Sequence, residues 1–354
     1  MRVVDRLTTR DLTLAARAGE SLDSLLARLA DGLAHSGAQI IHLLASLPAD
    51  QADALRAGLA GLPGGLDFPL TILCGRGARS EREPYGFQAL IAEGVPVERL
   101  EYEGRIVGSR YRDGQATYVM LGDLRARDLS LAPGAQCTVT LESIERIVAP
   151  LGLDFHHCVR TWLFADRILD WYGDLNASRH AFFASREVFG RRVPASTGVG
   201  IANAAGAAIV AQALLIQPDA GGAVDAQPVP SPLQCPALDY GSAFARAMEL
   251  SLPGGRRLQI SGTASIEPGG ATIHQTVEEQ IVWTMEVVSA LLESRGFRHD
   301  QVCRAIAYYA DESWFGGLER YQADRGLPAY PLLTMQADIC RDDLLFEIEL
   351  DAAD

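Results

Sequence analysis

The chain has 354 residues, 48% hydrophobic and 21% charged, with 31 Lys and Arg against 45 Asp and Glu for a net charge of −14. That length predicts two or three domains, each able to bury a core without staples. The diffuse negative field argues against a nucleic-acid or anionic-membrane partner, although a local cluster of Arg can still invert the field inside one cleft.

The opening stretch, MRVVDRLTTRDLTL, has no apolar core of a signal peptide. The longest apolar run, 204–216, contains Gln212 and is too short to span a bilayer. Cys74, Cys137, Cys158, Cys235, Cys303 and Cys340 leave no CxxC pair, and the histidines form no HExxH pattern. Adjacent His156 and His157 point to opposite faces of a strand. These features predict a cytoplasmic protein with reduced thiols, no metal and no cofactor.

Residues 1–98 read as an N-terminal α/β segment, with helices over 21–35 and 49–59 and a buried strand over 68–74. Gly75-Arg76-Gly77 lacks the Lys-Ser/Thr of a P-loop, and Gly198-Val199-Gly200 with Gly206 has the wrong spacing for a dinucleotide loop. Beyond residue 98 the chain repeats itself. Gly152-Leu-Asp-Phe-His-His-Cys-Val-Arg160 lies beside Gly296-Phe-Arg-His-Asp-Gln-Val-Cys-Arg304, placing Arg160 and Arg304 144 residues apart, with Asp166 and Asp311 following.

In the first copy, 99–217, a strand over 116–122 precedes a helix over 140–148, the repeated strand, a helix over 171–183 and a last strand over 208–216. A Gly/Pro-rich linker, 218–236, follows. The second copy, 237–354, has a strand over 257–265, helices over 277–292 and 314–324, and a last strand over 344–350. Each copy is an α+β unit with helices on one face of a mixed sheet. The last strand of the second copy carries Glu347 and Glu349, which alternate with apolar residues and so share a face. In the first copy Ala213 and Leu215 take their places, predicting one active site around the second copy with the first as partner wall.

A unit ending in Phe346-Glu-Ile-Glu349 resembles the Rid family (RidA/YjgF-like), whose trimers place active sites between subunits. The Arg that holds the substrate carboxylate in Rid imine deaminases is replaced by Ser196 and Tyr330, which argues against that reaction. The tandem arrangement, with Ser231-Pro-Leu-Gln234, Tyr240-Gly-Ser-Ala-Phe-Ala-Arg246, Ser261-Gly-Thr-Ala-Ser-Ile-Glu-Pro268 and Asp338-Ile-Cys-Arg-Asp-Asp-Leu-Leu-Phe-Glu-Ile-Glu-Leu-Asp351, is similar to the chorismatase family.

The resemblance implies two tandem Rid-like domains, as monomer or homotrimer, that remove pyruvate from chorismate without a cofactor. It makes Glu347 the acid that protonates the enolpyruvyl ether, a role that needs burial to keep the carboxyl protonated. Chorismate is a dianion, so Arg160, Arg246, Arg304 and Arg341 are candidate carboxylate partners. Gln234 and Tyr240 offer neutral hydrogen bonds, and Thr263 and Ala264 belong to the binding segment. Cys340 corresponds to the 3-hydroxybenzoate-forming subtype and Ala264 to the hydrolytic one that leaves a dihydroxycyclohexadiene carboxylate, so the product stays open.

Overall fold

The computed structural model describes residues 9–34, 38–62, 64–75 and 83–354; His35, Arg76 and Gly77 lie outside these. The first unit contains β1 (Thr9–Ala15), α1 (Leu22–Leu33), β2 (Gln39–Ser46), α2 (Ala52–Ala60), β3 (Leu70–Cys74) and β4 (Gly86–Ala92). The second contains β5 (Glu98–Tyr102), β6 (Arg105–Arg112), β7 (Ala116–Leu124), α3 (Pro133–Val148), β8 (Cys158–Ala165), α4 (Ile168–Ser185), β9 (Ala195–Val199), β10 (Ala202–Asn203) and β11 (Ile209–Pro218). The third contains β12 (Asp225–Val229), β13 (Ala247–Leu252), β14 (Gly255–Ala264), α5 (Val277–Ser294), β15 (Val302–Tyr309), α6 (Gly317–Asp324), β16 (Leu332–Gln336) and β17 (Phe346–Ala353).

Local chemistry explains the helices. In α1, Leu22, Leu25, Leu26 and Leu29 form the buried stripe, and the Ser21 hydroxyl caps the N-terminus by accepting from Ser24 N. Thr276 and Glu279 form a capping box on α5. The expected start of α3 at Thr140 is corrected to Pro133, two turns earlier. Gly134 and Thr138 weaken the helical pattern there, but Pro is favoured in a first turn, where its missing N–H costs nothing.

The two expected copies are present and have one strand order: β5-β6-β7-β11-β8-β9 and β12-β13-β14-β17-β15-β16. The segment expected as a linker supplies the edge strand β12, which pairs with β13. Pro228 is tolerated because an edge strand need not donate from every residue.

The N-terminal segment matches neither copy in sequence, yet its order β1-β4-β2-β3 repeats β7-β11-β8-β9 and β14-β17-β15-β16. In all three units the last strand is antiparallel to both neighbours, and the strands flanking the second helix are parallel. Residues 9–92 are therefore a third copy of the same wiring without the leading hairpin strands.

The helices of each unit cover the outer face of its own sheet. The inner faces meet around a pseudo-threefold axis, where Ile41 and Leu44 pack with Trp162, Phe164, Ile306 and Tyr308 in one core. Strands covered on both faces lose the usual alternation: all eight residues of β8 are buried. Among the described residues no helix is long and apolar enough to cross a membrane.

Register defines which residues are equivalent. His42, Arg160 and Arg304 face Leu90, Leu214 and Asp351, and Leu44, Trp162 and Ile306 face Gln88, Gln212 and Glu349. Ser46, Phe164 and Tyr308 face Gly86, Val210 and Glu347. Arg160 and Arg304 are thus true equivalents. The counterparts of Glu347 and Glu349 in the first copy are Val210 and Gln212, not Ala213 and Leu215. Ala195 begins β9 whereas Ala329, aligned with it in sequence, lies three residues before β16, and that displaced the sequence alignment by three residues.

Candidate active site

Along β17, Phe346, Ile348 and Leu350 point outward into the helix-covered core. Glu347, Glu349 and Asp351 take the inward positions and are 5%, 0% and 1% exposed. Glu349 is saturated with donors. It accepts from Arg160 Nη2 at 2.7 Å, Arg304 Nη2 at 2.5 Å and Trp162 Nε1 at 3.0 Å, and from the Thr197 hydroxyl. Arg304 also reaches Asp351 at 3.3 Å and Gln88 at 2.8 Å.

Glu347 makes no hydrogen bond among the described residues and faces a cavity of ≈ 160 Å³. Burial, reinforced by the neighbouring Glu349 carboxylate, pushes its pKa up to about 8 against the opposing pull of Arg160 and Arg246. It is consequently a neutral acid at pH 7. The space it occupies depends on Gly262 of β14: a Cβ there would lie 2.0 Å from Glu347 Oε1.

The cavity lies between the second and third units. Tyr172, Leu175 and Arg179 of α4 and Ser196 and Gly198 of β9 form one wall. Gly262, Ala264 and Ile266 form the other, with Cys340 and Arg341 of the loop before β17, and Tyr240 to Arg246 close the rim. Ala264 pairs directly with Glu347. Burial pushes the Cys340 thiol up to about 12, with the adjacent Glu347 acting in the same sense, so the sulfur is a thiol and not a thiolate.

Of the expected substrate-binding residues, Arg246, Arg341, Tyr240 and Ala264 line this cavity. Arg246 donates to the Cys235 carbonyl at 3.1 and 2.8 Å and stacks over Tyr240 and Phe244, each 5.4 Å from guanidinium to ring centroid. Arg341 pairs with Asp343 at 3.0 Å and donates to Gly270 O at 2.6 Å.

The other four stand elsewhere. Arg160 and Arg304 are engaged by Glu349 on the axial side and do not line the cavity. Gln234 lies behind the wall, where its amide donates to Ala264 O and Ile266 O at 3.0 and 2.8 Å. Thr263 alternates to the outer side of β14 and donates to Ser261 O at 2.8 Å. Of the two Rid-type slots, Ser196 lines the cavity, whereas Tyr330 lies 2.5 Å from His299 Nδ1, away from it.

Arg179 went unrecognised in the sequence. It is 4% exposed, donates to Asn176 at 2.7 Å and Ser242 at 2.8 Å, and has no carboxylate partner among the described residues. Its signal was positional: Ile168, Trp171, Leu175, Arg179 and Phe182 are the buried face of α4, and a lone cation on such a stripe needs a reason. Arg246 likewise has no carboxylate partner among the described residues. The site therefore combines a neutral carboxylic acid with two buried guanidinium groups that lack counter-anions.

No family model matches the chain and no curated protein matches it in sequence. Among solved structures, a chorismatase determined at 1.08 Å resolution is similar over 98% of both chains, with a TM-score of 0.67 and 19% identity. A Yersinia pestis protein of the conserved Rid family covers 37% of this chain and 100% of its own, at 18% identity and a TM-score of 0.31. The Escherichia coli YjgF gene product covers 36% and 98%, at 16% identity and a TM-score of 0.30. The fold is that of the solved chorismatase, an α+β architecture containing two tandem units of one strand order.

Proposed function

We propose that this protein is a chorismate-converting enzyme that releases pyruvate by acid-catalysed cleavage of the enolpyruvyl ether. The observation that carries this reading is the neutral, buried Glu347 carboxyl facing a cavity with Arg179 and Arg246, two guanidinium groups without carboxylate partners. A dianionic substrate supplies the missing counter-charges, and guanidinium forks are suited to holding carboxylates. The fold shared with a solved chorismatase supports the same reading.

Glu347 transfers its proton to the terminal methylene carbon of the enol ether, converting the C=C–O unit into an oxocarbenium ion. The resulting carboxylate faces that cation and stabilises it. Water adds to the cationic carbon and returns a proton to Glu347. The hemiketal then splits into pyruvate and the ring alcohol. In the alternative outcome the ring hydroxyl captures the cation in place of water and returns a proton to Glu347. The cyclic ketal then opens at the ring carbon that bore the hydroxyl, and the adjacent ring C–H loses its proton to aromatise the ring. Collapse of the hemiketal releases pyruvate and a hydroxybenzoate that takes up that proton. Cys340 and Ala264, which line the same cavity as Glu347, are the residues that would bias that choice.

The test is pyruvate release from chorismate, followed with a coupled dehydrogenase, with chromatography of the ring product. Glu347→Gln preserves shape but removes the transferable proton. General acid catalysis is worth about 10²–10⁴-fold, so turnover is expected to fall by that order while chorismate still binds. Saturable binding without turnover by the unaltered protein would instead identify a small-acid-binding module, and near-normal turnover by the Gln variant would remove Glu347 as the acid.

A further inference from the structure

On the pseudo-threefold axis the inner faces of the three sheets enclose a second cavity of ≈ 480 Å³, which shares no lining residue with the ≈ 160 Å³ cavity of Glu347. Its walls are apolar and aromatic. Trp162 and Phe164 stand on one side, and Tyr111 and Tyr118 stack with centroids 4.9 Å apart on another. Its floor is ionic and internally paired: Arg304 meets Glu349 and Asp351, Arg257 bridges Asp351 and Asp11, Arg112 meets Asp219, and Asp113 accepts from the Tyr118 hydroxyl. Each guanidinium group that lines the cavity, Arg112, Arg257 and Arg304, already has a carboxylate partner. A charged occupant would compete for one of these partners and strand a buried charge, which is strongly unfavourable.

Among the described residues two polar atoms of the lining remain spare. Gln212 Nε2 and Gln259 Oε1 have no hydrogen-bond partner there, although both residues are only 4% and 3% exposed. Buried amide atoms left unpaired are costly, so a donor and an acceptor here call for a complement. A ligand hydroxyl can accept from the first or donate to the second, and aromatic walls favour a flat ring. We propose that the axial cavity binds an uncharged aromatic molecule bearing hydroxyl groups, at a site separate from that of Glu347.

The test uses the full-length protein and 2-naphthol as probe, titrated calorimetrically. The expected result is saturable one-to-one binding that persists in Glu347→Gln and is not displaced by chorismate. Leu214→Trp places a larger ring in the cavity and is expected to abolish binding. Gln212→Leu removes the spare donor and is expected to weaken binding about 5-fold, the range of one hydrogen bond; it decides the matter should the Trp variant not fold. Absence of saturable binding, meaning that the cavity holds only water, would overturn the proposal. So would displacement by chorismate, or undiminished binding in either cavity variant. Loss of pyruvate release in the functional assay would leave this result untouched, because the readout is binding alone.

Discussion

Glu347 and Glu349 lie two residues apart on the inner face of β17, and their surroundings separate them chemically. Glu349 is held by two guanidinium groups, an indole and a hydroxyl, whereas Glu347 has no hydrogen-bond partner among the described residues and a pKa raised to about 8. Catalysis that needs the protonated form is expected to be flat below neutrality and to fall as pH rises through about 8, read from kcat against pH. The same shift acts on stability. The folded state holds this proton more tightly than the unfolded chain, whose carboxyl titrates near 4.5. The contribution is therefore fully present below about 4.5 and lost as pH rises towards 8. Glu347→Gln should remove that loss, so its melting temperature should gain on the unaltered protein between pH 5 and pH 9. Glu349→Gln should be the more damaging change to the fold, because it leaves Arg160 and Arg304 short of a buried counter-charge; breaking such a pair costs about 3–5 kcal/mol, measurable by denaturant unfolding. Alternation along the last strand made both carboxyls legible as a same-face pair. Their division of labour was not legible, since it depends on β8 and β9 of another unit.

At the scale of elements, helix α4 shows what an amphipathic pattern conceals. Its buried stripe was visible in the spacing of Trp171, Leu175, Phe182 and Phe183, and the eye passes over Arg179 among them. Only the packing of α4 beside the loop carrying Ser242 and Phe244 turns that Arg toward Glu347's cavity. Arg179→Met should raise the Kd for chorismate at least about 10-fold, since truncating one partner of a buried charge pair costs about 2–5 kcal/mol. The melting temperature should hold or rise, because without substrate the cation is buried with no carboxylate partner. A parallel loss of binding and of melting temperature would make Arg179 structural. Strand β12 teaches a complementary lesson. Gly and Pro flank it, so the segment reads as a linker, yet five residues suffice for an edge strand that takes its hydrogen bonds from β13.

At the scale of the molecule, three units of one wiring close around an axis within a single chain. Of the three equivalent positions on the last strands, Gly86, Val210 and Glu347, one carries a carboxyl, so one of three pseudo-equivalent clefts has the acid. The inner faces of all three sheets are already covered by one another. A trimer of such chains would have no inner face left to bury, and the expected species is a monomer of 38.1 kDa, checked by light scattering after size exclusion. A stable trimeric mass would show that outer surfaces, not the sheet faces, mediate assembly.

The sequence by itself determined the two tandem copies, the equivalence of Arg160 and Arg304, and the shared face of the two β17 carboxyls. Each is a local pattern: spacing, alternation or direct repetition of residues. Tertiary structure decided what depends on partners distant in the chain. The first unit shares backbone pairing with the others but few residue identities, such as Gln88 with Gln212 and Ala45 with Ala307, so its strand order is what reveals it. The expected set of four binding arginines divided for the same reason. Arg160 from another unit and Arg304 from the adjoining strand β15 both pair with Glu349, and Arg246, Arg341 and the unforeseen Arg179 were left lining Glu347's cavity. Whether a buried guanidinium binds a ligand or a neighbour depends on which carboxylate the fold brings within reach, and no spacing along the chain encodes that distance.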